Sequence, residues 1–192
     1  MRNDRFRNTT KQITIGGIGI ALFVVLSLCL QVPVFDNYYL CLGYIVMAVY
    51  CYSIGTISGT VISTLGIVLY CFLINGLRGM PGWTIGNIAI GLIAGFGFHL
   101  SRKIANKWLK RVVCLFAVII GTTIGILGVK SCVESFLYAQ PIIVRMAKNM
   151  TAFVADIVVL MLSLPLCEIL DKHIQKTIKK QQLQNEERCV LN

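Results

Sequence analysis

The chain has 192 residues and a formal net charge of +10, and 56% of its residues are hydrophobic while only 14% are charged. This composition excludes an ordinary soluble domain, in which about a quarter of the residues carry charge. In a soluble protein the positive balance would suit nucleic acid. Here it is typical of the Lys and Arg residues that orient membrane proteins, so we expect no nucleic-acid partner.

Apolar blocks of about 20 residues follow one another from Ile13 to Leu170. Twenty helical residues rise about 30 Å, which is the thickness of the hydrocarbon core of a bilayer. The sequence therefore predicts an all-α, multi-pass membrane protein, a six-transmembrane-helix bundle embedded in the lipid bilayer. We expect a basic cytoplasmic arm at 1–12, a transmembrane substrate-binding domain at 13–170 and a cytoplasmic tail at 171–192.

Breaker residues divide the apolar blocks into helices. The first helix is predicted at Ile13–Val32, ended by Pro33. The uncharged stretch 38–74 would rise about 55 Å as one helix, too long for one crossing, so we expect it to break near 53–56 into helices two and three. A turn-rich loop at 76–82 leads to helix four at 83–100. Helices five and six are predicted at 112–129 and 151–170, with a non-spanning outer segment at 130–150.

The distribution of positive charge indicates the orientation. With the N-terminus in the cytoplasm, fourteen Lys and Arg residues, all within 2–11, 102–111 and 172–188, lie inside. Four lie outside: Arg78, Lys130, Arg145 and Lys148. A five-helix arrangement would place eight inside and ten outside. The positive-inside rule therefore favours six helices with N- and C-termini cytoplasmic.

Asp156 is the clearest charge within a predicted span. A carboxylate at that depth costs on the order of 3 kcal/mol on insertion scales, so it usually faces a cavity or a partner. It either contacts a ligand or pairs with Arg145 or Lys148 to brace the outer segment. Asn149, Phe153 and Asp156 fall on one helical face, at i, i+4 and i+7.

Trp83 and Asn87 repeat the pairing of an aromatic ring and an amide at the outer end of helix four. Such a pair suits a planar heteroaromatic ligand. The alternatives are an interfacial belt role for Trp83 and an interhelical hydrogen bond for Asn87. Lys148 could attract a carboxylate or phosphate group of the ligand. Tyr39 lies in a short aromatic loop, where an interface anchor is the plainer interpretation.

Small residues mark the faces on which membrane helices approach one another. Gly17-x-x-x-Ala21 forms such a face near the cytoplasmic end of helix one, beside the basic arm. This face either packs within the bundle or receives the helix of a partner protein. Gly91-x-x-x-Gly95 in helix four is more typical of packing within the bundle.

Taken together, these features resemble the substrate-binding S component of an energy-coupling factor (ECF) vitamin transporter, over roughly residues 10–172. The resemblance rests on size, six helices, cytoplasmic termini and the small-residue face of helix one. It also rests on the segment 81–87, which runs from Pro-Gly-Trp to Gly-Asn, and on the outer segment before the last helix.

The resemblance implies that the protein captures a vitamin or related micronutrient at the outer face of a bacterial cell membrane. It further implies docking onto an energising module, which comprises a transmembrane coupling protein and ATPase subunits. The docking residues of the family match Gly17 and Ala21 here, where Gly replaces the first Ala of the family's Ala-x-x-x-Ala pattern. By resemblance, the loop that contains Tyr39 would form a rim over the site.

Two other functions remain as alternatives at this point. A stand-alone permease is disfavoured because the sequence shows no internal repeat and no polar stripe through several spans. A membrane-embedded enzyme is disfavoured because Asp156 has no paired catalytic base at its depth. The chain also lacks the G-x-x-x-x-G-K-[ST] phosphate loop, and its eight cysteines form no C-x-x-C pair. We therefore expect no catalytic residues, no metal and no cofactor.

Overall fold

The structure, a computed structural model, describes residues 2–29, 32–35, 38–74 and 80–190 of the chain, and the side-chain surroundings within 12–29, 41–74 and 81–173. Nearly all of this is helical. The elements in chain order are α1 (Arg2–Cys29), β1 (Val32–Phe35), β2 (Tyr38–Leu40), α2 (Gly43–Ser53), α3 (Thr56–Ile74), α4 (Met80–Ser101), α5 (Lys107–Thr122), a π-helical segment (Thr123–Lys130), α6 (Ser131–Tyr138) and α7 (Ile142–Val190).

Within the described residues, five helical stretches are long and apolar enough to cross a membrane. They are Gln12–Cys29, Thr56–Ile74, Pro81–Ser101, Lys107–Tyr138 and Ile142–His173. This confirms a helical membrane protein. The second predicted span is shorter than expected, because α2 has 11 residues and a rise of only about 16 Å.

The predicted break between helices two and three is confirmed at Gly55. This residue has φ +150°, a backbone conformation that side chains with a Cβ rarely adopt. It separates the last residue of α2, Ser53, from the first residue of α3, Thr56. The short α2 is the interior helix of the bundle, since it packs against α1, α3, α4 and α7.

A small β-hairpin replaces the predicted loop and the first turn of the predicted second helix. Strands β1 and β2 pair antiparallel, with Val32 opposite Leu40 and Pro33 opposite Tyr39. Strand β2 lies against α7. The pairing satisfies backbone N–H and C=O groups of both strands.

The segment 130–150, which was predicted to be a non-spanning outer segment, is largely helical. The helix of α5 continues through the π-helical segment and α6 to Tyr138. The chain then turns at Ala139, whose φ of 49° is left-handed, and α7 begins at Ile142. At the chain ends, α1 begins at Arg2 and α7 continues to Val190, so the predicted arm and tail prolong the first and last helices.

Apolar side chains face outward and small polar side chains face inward, as expected in lipid. Phe96 and Leu162 are 66% and 68% exposed, whereas Thr122 and Ser163 are fully buried. The buried hydroxyls donate to carbonyls of their own helices: Thr122 to Val118 at 2.8 Å and Ser163 to Leu160 at 2.6 Å. No water is needed to satisfy them.

Helices α3 and α4 approach closely because glycines of α4 face threonines of α3. A Cβ on Gly91 would lie 2.7 Å from Thr60 Oγ1, and one on Gly95 would lie 2.6 Å from Thr56 Cγ2. Both pairs repeat at four-residue spacing, so they form one continuous contact along the two helices. The interpretation of these glycines as bundle packing is confirmed.

Ion pairs join the helix ends on the side of the α4–α5 loop. Arg111 makes a bidentate contact with Glu168 of α7, at 3.0 and 2.9 Å. Arg102 in the loop lies 3.9 Å from Asp171 and donates to the carbonyl oxygen of Tyr52 at the end of α2. These pairs are partly exposed, so each contributes little stability alone, but together they link α2, α5 and α7.

Candidate ligand-binding site

Near the first turns of α4 and α7, away from these ion pairs, aromatic and polar side chains converge from several helices. Trp83, in the first turns of α4, donates its indole N–H to the Tyr44 hydroxyl of α2 at 3.0 Å. The ring of Tyr70 packs edge-on against Trp83, with centroids 5.7 Å apart. A largely buried tryptophan needs such an acceptor, so the hydrogen bond fixes the orientation of the indole ring.

Tyr44 also faces α7. Its side chain is fully buried, and its hydroxyl interacts with the carboxyl group of Asp156. Asp156 is 6% exposed. The cation whose charge acts on it is Lys130, from the end of the π-helical segment. A buried carboxylate is stable in the membrane only with such partners.

Lys130 also faces Glu134, one turn further along the same helix. Its Nζ lies 4.0 Å from Glu134 Oε1, and both side chains are largely buried. Asn149 of α7 donates to Glu134 Oε2 at 3.0 Å and to Ser131 Oγ at 3.1 Å. Two carboxyl groups and one ammonium group thus share a single water-poor region, joined by amide and hydroxyl groups.

Asn87 is the unsatisfied member of this region. It is fully buried, yet neither atom of its side-chain amide has a hydrogen-bond partner. The hydroxyl of Thr84, one turn earlier on α4, is also buried without a partner. Leaving a buried polar group unpaired costs about 1–3 kcal/mol. Asn87 and Thr84 therefore carry an unpaired amide and an unpaired hydroxyl in the same part of α4 as Trp83.

The geometry connects Trp83, Asp156 and Asn149 through hydrogen bonds or charge, by way of Tyr44 and Lys130. Phe153, between Asn149 and Asp156 on α7, is partly buried against the core. Lys148 is exposed and takes no part in the described network. Arg145, which with Lys148 was the alternative partner predicted for Asp156, stacks instead on the ring of Tyr138 at 4.2 Å. Tyr39 belongs to β2, but its side chain lies outside the described residues.

Sequence reasoning missed Tyr44, Lys130, Ser131 and Glu134. The last three fell in the segment predicted to be a loop, and Tyr44 looked like one apolar residue among many. The available signal was the i, i+4 spacing of Lys130 and Glu134, which is typical of a helical ion pair.

Among the described residues, no three His, Cys, Asp or Glu side chains come together in a group able to hold a metal ion. The predicted docking residues lie on α1, away from this network. Gly17 and Ala21 are both exposed, and a Cβ on Gly17 would meet no atom within 4 Å.

Comparison with known proteins gives a family match over most of the chain. A family model described as "ECF-type riboflavin transporter, S component" matches residues 7–172. No curated protein sequence matches the chain. Among solved structures, a crystal structure of the S-component for biotin from an ECF-type ABC transporter is similar to this chain, with a TM-score of 0.60 and 16% identity. The similarity covers 86% of this chain and 93% of that one, and it shows a shared fold.

Removing the ammonium group of Lys130 should destabilise the protein strongly. Lys130→Met leaves Asp156 and Glu134 without their cation, and an unpaired buried charge costs about 3–5 kcal/mol. We expect a large drop in the apparent Tm of the purified protein in detergent. The matched control is Lys148→Met, which removes an exposed ammonium group from the same end of the bundle. Equal shifts in the two variants would show that Lys130 does not hold the network together.

Proposed function

The chain belongs to the S-component family of ECF-type riboflavin transporters, and from this premise we propose that it captures riboflavin for an ATP-driven importer. The family consists of substrate-specific, vitamin-binding membrane components and not of enzymes, so an enzymatic role is set aside. A permease that works without an energising module remains the second candidate, and uptake measurements distinguish the two.

The observation that carries the ligand proposal is the unpaired amide of Asn87 beside the indole of Trp83. Riboflavin has a flat ring system that would pack on an aromatic side chain. The edge of that ring carries both carbonyl oxygens and an N–H, which match the amide of Asn87. Its hydroxylated chain offers donors for the carboxylates of Asp156 and Glu134. Asn149 and Phe153 would line the α7 side, with Tyr39 at the rim and Lys148 near the entrance.

Replacing Asn87 with leucine separates binding from stability. Asn87→Leu removes two unpaired polar atoms while keeping a similar volume, so the ligand-free protein should be as stable as the wild type or more stable. Riboflavin binding, measured by quenching of flavin fluorescence on titration with purified protein, should weaken by about tenfold or more. Asp156→Asn should also weaken binding.

Ser163→Ala is the control for this experiment, because Ser163 is fully buried on α7 and bonds only within its own helix. It should leave the dissociation constant unchanged. Unchanged affinity in Asn87→Leu would remove Asn87 from the site. If the wild-type protein does not bind riboflavin but co-purifies with another vitamin, the assignment of riboflavin as the ligand fails. That result would not contradict the proposed site.

We also propose six crossings with both termini in the cytoplasm of a bacterial cell. Five stretches are long enough to span, and α2 together with the β-hairpin would complete the sixth. The charge distribution supports this, because fourteen of the eighteen Lys and Arg residues then lie inside. The division into residues 1–12, 13–170 and 171–192 follows from this orientation, and the α6–α7 turn would face outward.

Terminal epitope tags test the orientation. In intact spheroplasts, tags on either end should be protected from an added protease, and both should be digested once the membrane is permeabilised. A tag placed at Ala139, in the exposed α6–α7 turn, should be digested in intact spheroplasts. Digestion of one terminal tag but not the other in intact spheroplasts would exclude an even number of crossings.

The exposed face of α1 that contains Gly17 and Ala21 is proposed to dock onto the transmembrane coupling protein of the energising module. Gly17 points into open space, whereas a Cβ on Gly19 would lie 2.8 Å from the ring of Tyr50 and 2.9 Å from Ile62. Helix α1 therefore uses Gly19 to pack on its own bundle. Its other small face stays free, and close helix approach needs such a face.

Enlarging Gly17 should block uptake while sparing ligand capture. Gly17→Leu adds bulk to the docking face without meeting the bundle, so binding by the purified protein should be unchanged. Uptake by cells that express the energising module should fall at least tenfold. Ser58→Leu is the control, because Ser58 is another small, exposed residue that lies on α3, outside the binding network. Equal losses of uptake in the two variants would reject the docking face, and uptake without the module would indicate a permease.

A further inference from the structure

The helix that supplies Lys130 and Glu134 is not a regular α-helix. Residues Thr123–Lys130 are π-helical, an eight-residue interruption between α5 and α6. π-Helical turns are rare and often occur at functional sites. In an α-helix, a serine hydroxyl reaches back to a carbonyl three or four residues earlier. Here the Ser131 hydroxyl donates to the carbonyl of Ile126, five residues earlier, at 3.1 Å.

Ser131 bonds to the π-helical segment through both its side-chain hydroxyl and its backbone N–H. Its backbone N–H donates to the carbonyls of both Gly128 and Ile126, so the Ile126 oxygen accepts from the hydroxyl and from the shared backbone N–H of Ser131. Ser131 is fully buried, which makes these bonds hard for water to replace. The middle of the segment packs directly on α4, since a Cβ on Gly125 would lie 2.7 Å from the Gly86 carbonyl oxygen.

The same hydroxyl is the acceptor for Asn149 on the facing helix. Asn149 has two amide hydrogens, and its nitrogen contacts both Ser131 Oγ and Glu134 Oε2. Glu134 in turn packs on the first turn of α4, because a Cβ on Gly82 would lie 2.8 Å from Glu134 Cγ. Ser131 is therefore the point at which α7 contacts the hydrogen bonds of the π-helical segment.

We propose that Ser131 is a positioning residue that couples the ligand-facing amide of Asn149 to the π-helical segment, which in turn holds Lys130 and Glu134 in the site. The proposal rests on the proposed function for the site but not on the identity of its ligand. If Asn149 reorients, its hydrogen bond to the Ser131 hydroxyl changes. The hydrogen bond from that hydroxyl to the Ile126 carbonyl then changes as well. The π-helical segment would thus respond to a reorientation of Asn149 on α7 without contacting the ligand itself.

Hydrogen–deuterium exchange of the purified, ligand-free protein tests this coupling. Peptides that cover 123–134 should exchange about fivefold faster in Ser131→Ala, because one hydrogen bond of the segment is lost. They should also exchange faster in Asn149→Ala, although that change lies on α7. The double variant should be no faster than the faster single variant, because both changes break one chain of contacts. Ser163→Ala should leave these peptides unchanged.

Additive effects in the double variant, or unchanged exchange at 123–134 in Asn149→Ala, would overturn the coupling. Faster exchange across all helices would indicate a general loss of stability and would also count against it. A second arm measures riboflavin affinity, which should weaken about fivefold in Ser131→Ala. If the wild type does not bind riboflavin, the ligand assignment fails. The exchange experiment still decides the role of Ser131.

Discussion

A charged side chain within a membrane needs partners inside the protein. This requirement determines how the helices around Asp156 and Glu134 are arranged. Glu134 pairs with the ammonium group of Lys130 and accepts from Asn149 of α7. Asp156 is buried near the same cation and the Tyr44 hydroxyl of α2, since a buried charge without partners is costly. The network therefore joins α2, α6 and α7, and Trp83 of α4 is attached to it by its hydrogen bond to Tyr44.

Most of the described buried polar side chains have partners, and Asn87 and Thr84 of α4 are among the few that do not. Buried hydroxyls such as Thr122 and Ser163 bond to carbonyls of their own helices, so they need nothing from outside. Asn87 differs, because its amide is buried with no partner. Under the proposed function this amide binds the ligand, and the protein would accept a small loss of stability in its empty form for specificity in its filled form.

The sequence predicted most of the fold because the bilayer imposes simple rules on length and charge. The break at Gly55, the glycine contacts of α4 and the burial of Asn87 and Asp156 all follow from such rules. The short α2, the β-hairpin and the helical continuation to Tyr138 did not, because they depend on pairing between distant segments. Lys130 was counted among the outer charges, since its i, i+4 spacing from Glu134 indicates a shared helix face but not that this face is buried.

The length of α7 has a mechanical consequence. Its 49 residues form one helix of about 74 Å, and Asn149 and Asp156 lie in its first third. Beyond His173, where the candidate span ends, the helix extends by about 25 Å. This last part of the helix, which follows Pro165, works as a lever: a tilt of about 10° at the membrane would displace its tip by about 4 Å. Any reorientation of the bundle would thus be magnified at the far end of α7.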